Sequence, residues 1–236
     1  MALKIIEPLE YNQFCEILGG GIETITGVME MHENGGWEGA YHRYCFDGMN
    51  WQEGANLRNK FHRQLIEAGD VGERLKVSSE ILCWGRMKPM DGALHDSLNR
   101  SLDLLSNGTG ESLKQICSRR IATVSKIYEM WDPTKWVIYD SYCVRGLQWL
   151  VSPYLAAHSS PATEALLRFP WPAGRKGQPM QGFVRLGTEK QARLGFLYAS
   201  WLCRAIAEQL NRSGRTDHFW EAFHVEMAAF QIGHEV

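Results

Sequence analysis

The apolar residues of this chain recur at helical intervals. Leu57, Phe61 and Leu65 lie four apart, and Leu94, Leu98, Leu102 and Leu105 repeat the same stripe. Such spacing puts them on one face of a 3.6-residue helix and not on one face of a strand. Leu113, Ile116, Ile121, Val124, Ile127 and Tyr128 mark a third helix or helix pair. It should stop at Trp131-Asp132-Pro133, because proline disfavours helical geometry before it and donates no backbone bond. Leu194, Leu197, Trp201 and Ile206 predict a helix over 188–210, and a last one is expected over 217–232, capped by Thr216 or Asp217. Short strands are expected only at 22–29 and 41–49, near the glycine-rich front. The fold class is therefore mainly α. Its 236 residues suit one domain, 1–236, or two joined helical subdomains with a cleft between them.

Charge narrows the class further. A net charge of −2 excludes polybasic tails, acidic disordered chains and low-complexity polymers. The balance is uneven, however. Residues 1–56 carry two basic and nine acidic side chains, and the remainder carries 23 basic against 18 acidic. Surface scatter explains this, and so does a basic face for a polyanion on the body of the chain. Residues 169–187 hold seven Pro or Gly together with Arg175, Lys176 and Arg185, either as a surface loop or as a basic contact element. The six cysteines stand at least 26 apart, so scattered thiols in a reducing cytoplasm are expected. No signal or membrane segment is read from the sequence.

One segment carries more information than the rest: Ser118-Arg119-Arg120-Ile121 through Trp131-Asp132-Pro133, then Trp136-Val137-Ile138-Tyr139-Asp140. A helix ends, a turn follows, an apolar connector anchors the chain, and Asp140 stands where the next helix begins. An aspartate there serves as an N-cap. Fixed between apolar walls and facing a cleft, it would instead stabilise developing positive charge or orient a water. The histidines show no metal-binding spacing, so no metal and no cofactor are expected. Gly19-Gly20-Gly21 lacks the Lys-Ser/Thr of a phosphate loop and reads as a turn.

The segment 118–147 resembles the helix–turn–aspartate core of the helix-hairpin-helix DNA glycosylase superfamily, and in particular bacterial proteins with an 8-oxoguanine-glycosylase fold. A second match, His224 to Gly233, is similar to the last helix of that fold, with Glu226 four residues before Phe230 on one helix face. The resemblance implies a catalytic Asp140, substrate contacts from Tyr139, Tyr142, Glu226 and Phe230, and DNA contacts from Arg119, Arg120 and Lys126; Arg175 and Lys176 of the basic loop are expected to add DNA contacts. Two departures stand out. The family's Gly-x-Gly hairpin reads Cys117-Ser118-Arg119-Arg120 here, and the position of the Schiff-base lysine, nineteen before the aspartate, is Ile121.

The expected activity is thus a monofunctional one: a base of double-stranded DNA is flipped out and its N-glycosidic bond is hydrolysed by water. A glutamate at 226 would accept from an amino-bearing edge such as cytosine N4. Some bacterial relatives act in phage defence on hypermodified cytosine, which makes modified phage DNA an expected partner of a monomeric protein. The alternative is a non-catalytic helical module that binds DNA or a protein partner and retains this fold.

Overall fold

The computed structural model describes residues 10–32, 34–107, 110–172, 178–214 and 218–236. The chain runs through α1 (Tyr11–Leu18), α2 (Gly21–Glu30), α3 (Gly36–His42), α4 (Trp51–Glu67), α5 (Val71–Trp84) and α6 (Gly92–Asn107). A 3-10 turn (Gly110–Gln115) leads into α7 (Ile121–Trp131), α8 (Ser141–His158), α9 (Pro161–Leu167), α10 (Glu189–Ser213) and α11 (Ala222–Glu235). No strand occurs among the described residues, only the isolated bridges Phe46–Met49 and Trp171–Arg185. The fold is mainly α. No described helix is long and apolar enough to cross a membrane.

Several helices begin where side chains satisfy their free amides. Asn50 Oδ1 accepts from the Glu53 amide at 3.0 Å while Glu53 Oε2 accepts from the Asn50 amide at 2.9 Å, a reciprocal cap for α4. Thr188 and Gln191 do the same for α10. The leucine stripe of α6 is buried as its spacing requires, with Leu94, Leu98, Leu102 and Leu105 all in the core.

The two expected strands are not formed. Residues 22–29 lie inside α2, where Ile25 and Met29 are buried one turn apart. The β-branched residues there favour strand locally, but packing of α2 on α8 and α10 decides the outcome. Residues 41–49 finish α3 and then make a tight turn. Asp47 and Gly48 both take positive φ, 55° and 81°, while Phe46 and Met49 exchange both backbone bonds. The last helix begins at Ala222, five residues later than expected, and Thr216 and Asp217 lie outside the described residues.

α8 and α11 are in backbone contact. A Cβ at Gly146 would overlap the Ala229 carbonyl, and one at Gly233 would overlap the Tyr142 carbonyl. This packing matters for the site. It sets the first turn of α8, which carries Asp140 as its cap, against the stretch of α11 that carries Glu226 and Phe230.

Candidate active site

The turn at 117–120 before α7 is anchored on both sides. The Cys117 amide donates to Ser101 Oγ at 2.8 Å, Ser118 Oγ donates to the Glu189 carbonyl at 2.9 Å, and Tyr128 Oη donates to the Cys117 carbonyl at 2.8 Å. The turn itself falls on Arg120, held in the left-handed region at φ 56°, ψ 47°. That conformation costs a non-glycine residue roughly 1–2 kcal/mol. Its guanidinium offsets the cost by donating to the carbonyls of Lys88 and Pro89, at 2.8 and 3.0 Å. α7 then ends as the sequence predicts. The Asp132-Pro133 turn follows, closed by Asp132 Oδ1 accepting from the Thr134 amide, and Trp136, Val137 and Ile138 bury the connector.

Between this turn, the 85–88 loop and the start of α8 lies a cavity of about 530 Å³. Its floor includes the buried Thr123 and Lys126 and the half-buried Asp140, whose side chain is 18% exposed. Tyr142, Phe230 and Phe46 form an aromatic wall. The Tyr142 and Phe230 rings stand 5.3 Å apart edge to face, and Phe46 meets Phe230 at 5.9 Å. Arg86, Lys88 and Arg120 supply an exposed basic rim.

Asp140 has both oxygens engaged. Oδ1 accepts from the amides of Tyr142 and Cys143, at 3.1 and 3.2 Å, and Oδ2 accepts from Lys126 Nζ at 3.0 Å. Burial works against its ionisation, but the Lys126 ammonium and the bonds from Cys143 outweigh burial and hold the carboxyl below its usual range. Burial likewise works against the charge on Lys126, yet Asp140 holds its pKa above the ordinary lysine value. At neutral pH the floor is therefore an ion pair. The lysine stem passes over Gly85, where a Cβ would press on its Cδ.

A second buried group lies behind the floor. Arg58 of α4 donates from Nε to Glu129 Oε1 at 2.5 Å and from Nη2 to Glu226 Oε2 at 3.0 Å. Glu226 Oε1 also accepts from the Cys143 thiol at 2.7 Å. All three ionic side chains are essentially without solvent. Two carboxylates share one guanidinium here. Burial pushes Glu226 up to about 8, and Glu129 is pushed up by burial as well. Burial also raises the Cys143 thiol far above its usual value, so it is not an available thiolate.

The expected site residues fall into distinct groups. Asp140, Tyr142, Phe230, Lys126 and Arg120 meet at the cavity. Tyr139 does not; it is buried in the core, donating to the Pro170 carbonyl at 2.7 Å, with Gly195 leaving room for its ring. Its expected contact with a base has no place in this arrangement. Nor does the expected base-reading role of Glu226, whose carboxylate faces Arg58 and Cys143 and does not line the cavity. Arg119 is exposed beside the rim and pairs with Asp91 at 2.6 Å. Arg175 and Lys176 lie outside the described residues.

Phe46, Arg86, Lys88 and Arg58 were not expected at the site. Phe46 lies in the segment 41–49, expected as a strand, Arg86 lies just past the end of α5, and no spacing links Arg58 to Glu129 or Glu226. Among the described residues no group of His, Cys, Asp and Glu side chains could hold a metal ion. No family model, curated protein or solved structure matches this chain.

Proposed function

We propose that this protein is a monofunctional DNA glycosylase, which accepts a flipped-out modified base and hydrolyses its N-glycosidic bond to leave an abasic site. The observation that carries the reading is Asp140. It is an ionised carboxylate at the floor of a cavity walled by Phe46, Tyr142 and Phe230 and rimmed by arginine and lysine. Cleavage passes through an oxocarbenium-like sugar, which a half-buried carboxylate stabilises while it orients the attacking water. The aromatic wall offers stacking surface for an unstacked base. Lys126 supports hydrolysis over lyase chemistry, since an ammonium held by Asp140 is not a nucleophile.

The cavity volume falls in the range of ordinary small-ligand pockets and leaves room for a base with a bulky substituent. A hypermodified base such as the modified cytosine of phage DNA, which the resemblance implies, fits a space of this size. With Glu226 facing Arg58, recognition of the base falls to the groups that line the cavity. Incubation with unmodified, hydroxymethylated and glucosylated phage DNA, followed by alkali, reads out abasic sites directly. Breaks confined to a modified DNA support the reading.

One observation favours the alternative of a non-catalytic DNA- or partner-binding module. Arg119 and Arg120, which stand in place of the family's glycine hairpin, are both engaged within the protein. That reading expects DNA retention with no abasic sites on any substrate.

A further inference from the structure

Two arginine–aspartate pairs flank the mouth of the cavity. Arg86 stands one residue past α5, beyond its Gly85 cap, and pairs with Asp47, in the turn next to Phe46. Arg119 in the turn before α7 pairs with Asp91, which precedes α6, with Nη2 to Oδ2 at 2.6 Å. All four side chains are substantially exposed, between 42% and 66%. Both pairs join segments that are distant in sequence, and both stand beside residues lining the cavity: Phe46 and Arg86 on one side, Ser118 and Arg120 on the other.

The backbone marks the same rim. Among the described residues, the non-glycine residues with positive φ are Asp47, Arg86 and Arg120, at 55°, 52° and 56°. Left-handed backbone at side-chain-bearing residues is retained where surrounding structure enforces it, and it gathers at functional sites. Here Asp47 and Arg86, both in this conformation, pair with each other on one side of the mouth. Asp47 also belongs to the acidic front of the chain, so a strongly negative segment meets the basic body at this point.

We propose that Asp47 and Asp91 occupy the guanidinium groups of Arg86 and Arg119 in place of two DNA phosphates, so that binding exchanges each internal carboxylate for a backbone phosphate. This rests on the glycosylase reading above and deepens it by naming the phosphate contacts. An exposed arginine–carboxylate pair is weak, because both partners are well solvated apart. A phosphate accepts the same paired N–H donors, and a polyanion adds the release of its counterions. The two aspartates therefore act as a gate. They oppose indiscriminate binding of anions at the mouth and yield to a duplex that can engage both arginines together.

The test is the affinity of the full chain for a short fluorescein-labelled duplex, read by anisotropy over a series of salt concentrations. Asp47→Asn and Asp91→Asn should each tighten binding at low salt by roughly fivefold, as expected for release of a weak exposed pair. Asparagine at 91 keeps the oxygen that accepts from the Leu94 amide, so α6 retains its cap. The gain from Asp47→Asn should vanish when Arg86→Gln is also present, and that from Asp91→Asn when Arg119→Gln is present. Asp103→Asn, which removes the same charge from a residue paired with Arg74 and outside the cavity lining, should give no gain. The inference is overturned if the gains persist without the arginines, or if Asp103→Asn matches them. Unchanged affinity in both aspartate variants, alongside a wild type that binds DNA and forms abasic sites, sinks the gate and leaves the glycosylase reading standing. Absence of binding and of abasic sites in every variant sinks both.

Discussion

Lys126 Nζ lies 3.0 Å from Asp140 Oδ2, joining consecutive helices across the turn at Asp132-Pro133. The pair has low exposure, 4% for the lysine side chain and 18% for the aspartate, and it forms the floor of the cavity. Its geometry ties the cap of α8 to the sixth residue of α7, so the charge of each group favours that of the other.

Removing the lysine should therefore shift how activity depends on pH. In the native protein the carboxyl of Asp140 is held down, so its ionised form persists well into acid. Without the ammonium in Lys126→Met, burial dominates and the carboxyl titrates at higher pH. The acid limb of abasic-site formation should move upward in pH. A pH–rate profile checks this, and an unmoved limb would show that Lys126 does not control Asp140. Borohydride should trap no covalent DNA adduct with the native protein.

Glu226 should leave its mark on stability. Its folded pKa of about 8 lies above the ordinary carboxyl value, so between roughly pH 4.5 and 8 the native state holds a proton that the unfolded chain has lost. Stability is fully favoured on the acid side and falls as pH rises through that window, by at most about 1.4 kcal/mol per pH unit for one proton. Glu226→Gln imitates the protonated group and leaves Arg58 to Glu129. Urea midpoints of this variant should fall less steeply than those of the native protein from pH 5 to about pH 8. A slope equal to that of the native protein would place the proton elsewhere.

Gly85 tests the packing under the lysine. Alanine there would set a Cβ against Lys126 Cδ, close to the Ile81 carbonyl, with the ammonium anchored beyond. Overpacking of this kind costs about 1–3 kcal/mol. Activity should fall further than the stability loss explains, because Nζ is displaced from Asp140. Gly92→Ala, which meets nothing within 4 Å, should change neither. Thermal unfolding and the abasic-site assay run on both variants separate the two effects.

The helical stripes were legible because burial alone selects them; the leucines of α6 needed no partner to be named. The Asp132-Pro133 turn and Asp140 as a cap were legible too, since proline and aspartate act through their own backbone neighbours. The segment 22–29 misled because its local preference and its packing disagree, and packing prevailed. Tyr139 and Tyr142 carry the same ring but diverge. One ends the buried connector and turns into the core, whereas the other lies in the first turn of α8 facing the cavity. The Arg58 contacts span 71 and 168 residues, and no local pattern reports a contact of that range. Arg120 could not be read as a turn residue either, because arginine in the left-handed region is stabilised here by carbonyls from another loop.

The most direct measurement compares the native protein with Asp140→Asn on unmodified, hydroxymethylated and glucosylated phage DNA, counting alkali-labile sites. Asparagine caps helices as well as aspartate does, so α8 should persist, and circular dichroism verifies this. Abasic sites are expected on a modified DNA with the native protein, and a loss of roughly 10²–10⁴-fold in the variant. Native-level base excision by a folded Asp140→Asn protein, or no abasic sites on any of these DNAs with the native one, would contradict it.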